Sequence, residues 1–257
     1  IKGRVKQDDS SPPYHLRGYY YYTRYEEGKE YPIYCRKEGS LDAEEEVLLD
    51  VNQMAEGHNF FSVRGVTVSP ENDLLSYAVD TVGRRKYTLH FKNLETGEVL
   101  ADEIPEMTAN NAWANDNKTV FYARQDPDTL RSYQIYRYVV GSGEEPALVY
   151  QEDDDTYSCY VYKTKSDRYL IIHSGQTLSD EVRYLDANNP AGEFQVVQPR
   201  ERGLEYSVDH FNDHFYVRTN LDAENFRLMR APVVSPGKDN WTEVIPNVAL
   251  TLGRFRQ

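Results

Sequence analysis

Short apolar and aromatic runs alternate with polar turns along most of this chain. Residues 19–25, 74–80, 119–124 and 168–173 are rich in Tyr, Phe, Val, Leu or Ile, and turn-forming residues flank them. Runs of this length and composition predict β-strands joined by tight turns. No stretch longer than one helical turn keeps a convincing 3.6-residue period, so the pattern predicts an all-β protein. One short helix is expected near residues 51–57, where Asp50 can cap its first turn.

The strand pattern also repeats at a nearly constant interval. Turns at an acid or an amide recur after 44, 50 and 46 residues, at Asp73, Asn117, Asp167 and Asp213. Hairpin glycines recur after 58, 46, 49 and 45 residues, at Gly39, Gly97, Gly143, Gly192 and Gly237. A repeat of this length that holds about four short strands indicates a β-propeller blade. The sequence therefore predicts a propeller with about five blades, each a four-stranded antiparallel sheet.

The two ends of the chain fit the repeat less well than its middle. Residues 250–257 match no blade strand, and the chain starts at Ile1 with a polar lead-in over residues 2–11 rather than with Met. We therefore expect residues 1–257 to form an incomplete part of a seven-bladed ring. We also expect the chain to be a segment of a longer protein, whose upstream targeting sequence would not be visible here.

The charge balance restricts the classes of partner. The chain has 42 Asp and Glu against 29 Lys and Arg, a net charge of -13, which argues against nucleic acid or an anionic membrane surface. No apolar run approaches the length of a membrane span. The excess of acids is explained either by a solvated surface or by attraction of cationic ligands, and composition alone leaves both open.

The cysteines and histidines do not predict a metal centre or a cofactor. Cys35 and Cys159 fall inside predicted strands of different repeats, which favours two buried free thiols. The six histidines form no His-Glu-x-x-His pattern, and His210 and His214 fall in a hairpin rather than on one helical face. We expect no metal and no cofactor.

An acidic run is the sharpest local feature that bears on binding. Glu152, Asp153, Asp154 and Asp155 stand consecutively before a predicted innermost strand. Such a loop can concentrate cationic peptides or pair with Arg residues of an adjoining domain. The alternative is a solvated loop between blades, in which one of these polar residues caps a turn. The basic turns at residues 84–86 and 200–202 have the same two interpretations, docking or solvation.

No catalytic residue is predicted in this chain. In an α/β-hydrolase the nucleophilic serine lies in a Gly-x-Ser-x-Gly motif on a strained strand-to-helix turn, and the chain has no such motif. Gly141, Ser142 and Gly143 come nearest to it but lack the spacing, and they are interpreted as a hairpin turn.

Several motifs in a fixed order resemble one peptidase family. They cover most of residues 11–246 and lie at residues 19–25 with 30–34, 48–52 with 60–62, 83–87 with 91–97, 112–116, 133–137, 152–157 and 206–210. Read in order, they resemble the N-terminal β-propeller of the oligopeptidase B group in the prolyl oligopeptidase family of serine peptidases. The chain departs from the pattern at Leu252, Gly253, Arg254 and Phe255, where family members usually continue with an acid followed by Gly and Phe.

This resemblance implies a function for the parent protein. It implies a cytoplasmic or periplasmic serine endopeptidase that cleaves short peptides after Lys or Arg, with its Ser-Asp-His triad in a C-terminal α/β-hydrolase domain absent from residues 1–257. The propeller would then be a non-catalytic gate that admits short basic peptides, partnered by that catalytic domain and inactive alone. The competing hypothesis is an autonomous propeller that binds a protein or a peptide, and the downstream reading frame distinguishes the two.

Overall fold

The computed structural model describes residues 8–247, and this part of the chain is almost entirely β-structure. Its nineteen strands form five successive antiparallel meanders, or blades. Blades 1 and 2 contain β1 (Tyr14–Leu16), β2 (Tyr19–Arg24), β3 (Ile33–Glu38), β4 (Glu46–Asp50), β5 (Ser62–Val68), β6 (Leu74–Asp80), β7 (Tyr87–Asn93) and the first part of β8 (Val99–Trp113). Blade 3 contains the rest of β8, β9 (Thr119–Gln125), β10 (Ser132–Val139) and β11 (Ala147–Gln151). Blades 4 and 5 contain β12 (Ser158–Lys163), β13 (Tyr169–Gln176), β14 (Ser179–Asp186), β15 (Gln195–Gln198), β16 (Tyr206–Phe211), β17 (His214–Thr219), β18 (Arg227–Pro232) and β19 (Thr242–Ile245).

The long strand β8 serves two blades, which joins blades 2 and 3 into one seven-stranded sheet. Its first part pairs with β7 and its second part pairs with β9, both antiparallel. Between the two parts of β8, Glu106 and Ala109 have φ of 59° and 75°, in the left-handed region that residues with a Cβ rarely occupy.

The turn between the first and second strands of every blade contains one left-handed residue other than glycine. These residues are Arg17, Asn72, Asn117, Asp167 and Asn212, with φ between 46° and 64°. Asn and Asp tolerate this conformation better than other non-glycine residues, which explains why four of the five turns use them. The predicted turn markers Asn117 and Asp167 occupy the left-handed position itself, whereas Asp73 and Asp213 follow it by one residue.

The hydrophobic core is divided among the four seams between successive blades. Strand β9 shows how one strand serves two seams: Val120 and Tyr122 pack towards blade 2, while Phe121 packs towards blade 4. All three side chains are fully buried. Because successive side chains of a strand point to opposite faces, a strand covered on both faces is apolar at every position. Each blade is thus stabilised by its neighbours.

The predicted all-β fold is confirmed as a partial β-propeller of four-stranded antiparallel blades, five of which lie in the described residues. The short helix is confirmed as α1 (Val51–Met54), and the Asp50 carboxylate accepts hydrogen bonds from the backbone N–H groups of Asn52 and Gln53. The expectations for residues 2–7 and 250–257, including the departure at residues 252–255, lie outside the described residues. Within residues 8–247 no helix is long and apolar enough to cross a membrane.

The meander gives the propeller two distinct ends. Successive strands run in opposite directions, so the linkers between blades lie at the same end as the loops between second and third strands. We call this end the linker face, and it includes the linkers 51–61, 152–157 and 199–205. The first turns of the blades lie at the opposite end, the turn face. There the Arg17 guanidinium of blade 1 donates to the Asp167 carboxylate of blade 4 at 2.6 Å and 3.2 Å, which is consistent with blades that surround a shared axis.

Candidate functional site

The acidic run lies on the linker face, between blades 3 and 4. Residues 152–157 connect β11, the outermost strand of blade 3, to β12, the innermost strand of blade 4. The structure places the four predicted site residues in one loop but in two different environments. Glu152 is 3% exposed, whereas Asp153, Asp154 and Asp155 are exposed to solvent.

Glu152 belongs to an internal network of hydrogen bonds and one ion pair. Its two carboxylate oxygens accept from Arg200 at 2.6 Å and 3.2 Å, in a bidentate arrangement. The Tyr150 hydroxyl donates to Glu152 Oε2 at 2.6 Å, and the Ser174 hydroxyl donates to the same oxygen. The side chain therefore joins the linker after blade 3 to blade 4 and to the linker before blade 5, and it faces the protein interior.

The electrostatic surroundings keep Glu152 ionised. Burial raises the pKa of the carboxyl, but hydrogen bonds from Arg200, Ser174 and Tyr150 more than offset that effect, and the pKa falls to about 2. Burial and the hydrogen bond to Glu152 raise the pKa of Tyr150 to about 12, so its hydroxyl remains a donor at neutral pH. The Arg200 guanidinium also lies over the Tyr157 ring, 4.1 Å from its centroid.

The other three acids differ in their hydrogen bonds. Asp154 caps the turn, because its Oδ1 accepts from the backbone N–H of Thr156 at 3.0 Å and from the Thr156 hydroxyl at 2.6 Å. Asp153 Oδ1 accepts from the exposed Gln151 side chain at 2.8 Å. Asp153, Asp154 and Asp155 therefore all present charge to solvent, and Asp154 also caps the turn, whereas Glu152 is a buried structural residue.

The basic turns are also divided. Arg84, Arg85 and Lys86 are exposed in a loop of the linker face. In the second basic turn Arg202 is exposed. Arg200 instead forms the ion pair with Glu152, and its Nη2 also lies 3.4 Å from Glu181 Oε1. This role of Arg200 is not visible in the sequence, because no local signal links residues 48 positions apart.

A second polar cluster, which the sequence did not indicate, lies between blades 4 and 5. His173 Nε2 and Asp180 Oδ1 are 2.8 Å apart, and Asp180 Oδ2 accepts from the backbone N–H of Tyr206 at 3.0 Å. Both His173 and Asp180 are buried beside a pocket of about 200 Å³. A residue of the first strand of blade 5 thus fixes a pair of side chains in blade 4.

Two further predicted features are placed by the structure. Gly141, Ser142 and Gly143 form the turn between β10 and β11, with φ of 76° and 68° at the two glycines, so the hairpin interpretation is confirmed. Cys35 and Cys159 are buried free thiols, each 1% exposed, as predicted.

This arrangement defines a β-propeller domain whose linker face carries exposed acids over a buried ion pair. A family model described as the N-terminal β-propeller domain of prolyl oligopeptidase matches residues 1–252. The chain therefore belongs to the prolyl oligopeptidase family, and the resemblance found in the sequence is confirmed.

Individual relatives agree with this assignment. Dipeptidyl aminopeptidase BI of Pseudoxanthomonas mexicana is 40% identical over 260 residues, which cover 95% of this chain and 36% of that protein. Protease 2 of Moraxella lacunata is 32% identical, covering 90% of this chain and 34% of that protein. The structure of oligopeptidase B from Leishmania major superimposes with a TM-score of 0.85 at 34% identity, covering 93% of this chain and 34% of that chain. The chain thus spans about a third of the length of these relatives.

Proposed function

We propose that this propeller is the non-catalytic gating domain of a serine oligopeptidase that cleaves short peptides after Lys or Arg. The observation that carries the proposal is the family match over residues 1–252, together with relatives named as peptidases that are about three times as long. Residues 1–257 contain no Gly-x-Ser-x-Gly, so in this proposal the Ser-Asp-His triad belongs to a C-terminal α/β-hydrolase domain and this chain alone does not hydrolyse peptides.

The linker face is the face proposed to meet the catalytic domain. Strand β1 starts at this face and β19 ends at it, so the described chain both enters and leaves the blade array there. A catalytic domain docked on this face would lie beside the loop that contains Asp153 and Asp155. A narrow cleft between two rigid domains admits flexible peptides, rejects folded proteins and excludes bulk water.

The exposed acids are proposed to favour cationic peptides. A ligand charge about 10 Å from one carboxylate in water gains about 0.4 kcal/mol before screening. Two carboxylates then raise the local concentration of a monocation about threefold at 0.01 M ionic strength and about 1.5-fold at 0.15 M. This effect assists capture, and it is too small to provide the selectivity for Lys or Arg, which must come from the catalytic domain.

The test uses the polypeptide that continues from this chain into its downstream reading frame. We expect that frame to contain Gly-x-Ser-x-Gly followed by Asp and His, and the product to hydrolyse fluorogenic peptides with Arg or Lys before the scissile bond in preference to Ala or Glu. Peptides of increasing length are expected to lose kcat/KM steeply once they fold. A frame that ends near Gln257, or a product that cleaves folded proteins as fast as peptides, would contradict the proposal.

The charge effect has a matched control. Replacing Asp153 and Asp155 by Asn is expected to lower kcat/KM for a dibasic peptide at 0.01 M ionic strength, with little change at 0.5 M. Replacing Glu144 and Glu145 by Gln removes the same charge from exposed positions near the turn face and is expected to leave kcat/KM unchanged. Equal effects of the two double variants would show that only net charge matters and would refute a local role of the acidic loop.

The competing function, an autonomous binding module, predicts different behaviour of the isolated chain. A closed and self-sufficient propeller elutes as a monodisperse monomer on gel filtration. An open blade array exposes strand edges and apolar blade faces and self-associates. We expect the second behaviour for residues 1–257.

A further inference from the structure

A basic loop on the linker face contrasts with the acidic charge of the chain as a whole. Residues 81–86 join β6 to β7 in blade 2, and Arg84, Arg85 and Lys86 are all exposed. Among the residues that the structure describes, none of these three side chains forms an ion pair. Three adjacent positive charges therefore face solvent in a chain of net charge -13.

The neighbouring loop of blade 3 contains acids but does not neutralise this charge. Asp126 and Asp128 lie in the loop between β9 and β10, on the same face. The Asp126 carboxylate accepts from the backbone N–H groups of Asp128 and Thr129 at 3.1 Å and 2.8 Å. It therefore caps its own turn, and the basic loop keeps its charge available to a partner outside the blades.

The backbone of the basic loop is fixed by buried hydrogen bonds. Asp80 is 2% exposed, and its carboxylate accepts from the backbone N–H groups of Val82, Gly83 and Arg85 at 2.8 Å, 2.9 Å and 2.8 Å. From blade 3, Gln125 Nε2 donates to the Arg85 carbonyl oxygen at 2.6 Å. A surface that is ordered in advance loses less conformational entropy when it binds. The loop thus presents its side chains from a preorganised backbone.

Two exposed apolar side chains adjoin the basic residues. Val82 is 71% exposed, and Phe60, in the linker between blades 1 and 2, is 42% exposed. A Cβ at Gly83 would lie 3.5 Å from the Phe60 ring, so the ring lies against the loop that presents Val82. Exposed apolar groups with a charged rim are typical of protein contact surfaces, where Phe and Arg are enriched. We call the following residues the basic patch: Phe60, Val82, Arg84, Arg85 and Lys86.

The position of the basic patch indicates which partner covers it. The patch lies on the linker face, where the described chain both enters and leaves the blade array. The chain covers 36% and 34% of two relatives, so about two thirds of each relative lies outside the matched part. The polypeptide that follows residue 257 is therefore the partner best placed to reach this face, and its contact surface must complement positive charge.

We propose that the basic patch docks an acidic segment of the domain that follows residue 257. That segment presents Asp or Glu to Arg84, Arg85 and Lys86, and an apolar side chain to Phe60 and Val82. The inference rests on the proposed function, which takes this domain to be the catalytic one. It assigns the two sides of the linker face separate roles: the basic side at blade 2 is the contact, and the acidic loop at residues 152–155 faces the open cleft that receives cationic peptides.

The first test measures how well the patch is covered in the polypeptide that continues from this chain into its downstream reading frame. Val82→Cys and Val234→Cys each add one thiol at an exposed position, and the two native cysteines of this chain are buried. Val234 is 94% exposed between β18 and β19 at the turn face, which makes it the matched control. We expect Val82→Cys to react with iodoacetamide at least about tenfold more slowly than Val234→Cys, with the labelled peptide identified by mass spectrometry.

Removing the charges of the patch separates docking from local effects on the thiol. Basic neighbours favour the reactive thiolate, so without docking the replacements Arg84→Gln, Arg85→Gln and Lys86→Gln would slow the labelling of Val82→Cys. Docking predicts the opposite sign, an acceleration of at least about threefold, because the covered thiol becomes accessible. Thermal unfolding of each variant checks that the blades remain intact. Equal labelling of Val82→Cys and Val234→Cys, or slower labelling after the three replacements, would overturn the proposal.

A second measurement identifies the acidic segment. A carbodiimide joins an amine to a carboxylate with which it is in contact, so we expect Lys86 to be cross-linked to an Asp or Glu beyond residue 257. Lys118, exposed at the turn face, is expected to form no such link. Mixing isotopically labelled and unlabelled protein before the reaction distinguishes links within one molecule from links between copies. Links from Lys86 only to residues 1–257, or only between copies, would refute the docking.

These outcomes are separable from those of the proposed function. Hydrolysis of peptides after Lys or Arg tests the function, whereas labelling and cross-linking test the contact. An active peptidase in which Val82→Cys and Val234→Cys react equally would retain the function and refute the docking. A protein that forms the Lys86 cross-link but hydrolyses no peptide would retain the contact and refute the function.

Discussion

The ion pair between Glu152 and Arg200 gives the sharpest test of how the blades are held together. The replacement Glu152→Gln keeps the volume and removes the charge of a side chain that is 3% exposed. It leaves Arg200, whose side chain is 29% exposed, with Glu181 at 3.4 Å as its remaining charged partner in the described structure. Removing one partner of a buried pair costs more than the pair contributes, because the remaining charge stays desolvated.

The magnitude follows from the pKa of Glu152. The pKa falls from the ordinary value of 4.5 to about 2 in the folded protein. At about 1.36 kcal/mol for each pKa unit, this difference corresponds to about 3 kcal/mol of folding free energy at neutral pH. Because water reaches one side of Arg200, we expect a loss of about 2–3 kcal/mol for Glu152→Gln at pH 7. A lowered pKa stabilises the fold above pH 4.5, and the contribution is lost as the pH falls from about 5 towards 2.

The assay is urea unfolding followed by the fluorescence of Trp113 and Trp241, which are 2% and 7% exposed. The unfolding free energies of wild type and Glu152→Gln are expected to differ by about 2–3 kcal/mol at pH 7 and by about 2 kcal/mol less at pH 3. Asp153→Asn, at the exposed neighbour, is expected to change stability by less than about 0.5 kcal/mol at either pH. A difference that is the same at both pH values would refute an electrostatic origin.

Two further predictions concern the backbone and the thiols. Gly65→Ala is expected to destabilise the protein by more than about 3 kcal/mol, because the added Cβ would lie 2.0 Å from the Ala109 carbonyl oxygen. Gly97 has the same left-handed backbone but open space around it, so Gly97→Ala is expected to cost about 1 kcal/mol. Chemical denaturation of the two variants measures this difference, and equal losses would show that the approach to Ala109 is unimportant. Cys35 and Cys159 are expected to react with a thiol reagent only on unfolding, since burial raises the pKa of each thiol to about 12. Rapid reaction of either cysteine in the native protein would contradict the packing described.

Strands and blades are predictable here because their signals are local. A strand buried on both faces needs an unbroken apolar run, and a left-handed turn favours Asn or Asp, so the repeat at Asn117 and Asp167 is visible in the sequence. The helix cap at Asp50 is equally local. The left-handed backbone inside β8 was not predictable, because Glu106 and Ala109 are residue types that rarely adopt this conformation.

The candidate site could be predicted only in part. The acidic run identified the loop, but four consecutive acids look alike in a sequence. Their roles depend on the partners that the fold supplies. Glu152 is buried because it pairs with Arg200, and Asp154 caps the turn because it accepts from Thr156. The buried pair of His173 and Asp180 has no sequence signal either, because its fixing contact comes from Tyr206 in the next blade.

The sequence by itself determined the strand pattern, the period of the repeat and the family, since each of these depends on residues close together in the chain. The tertiary structure decided which acid is buried, which basic residue neutralises it, and where a pocket opens between two blades. The physical reason is the range of the interactions. Turn conformation and apolar alternation act over a few residues, whereas the stability of a buried charge depends on every group that folding brings around it.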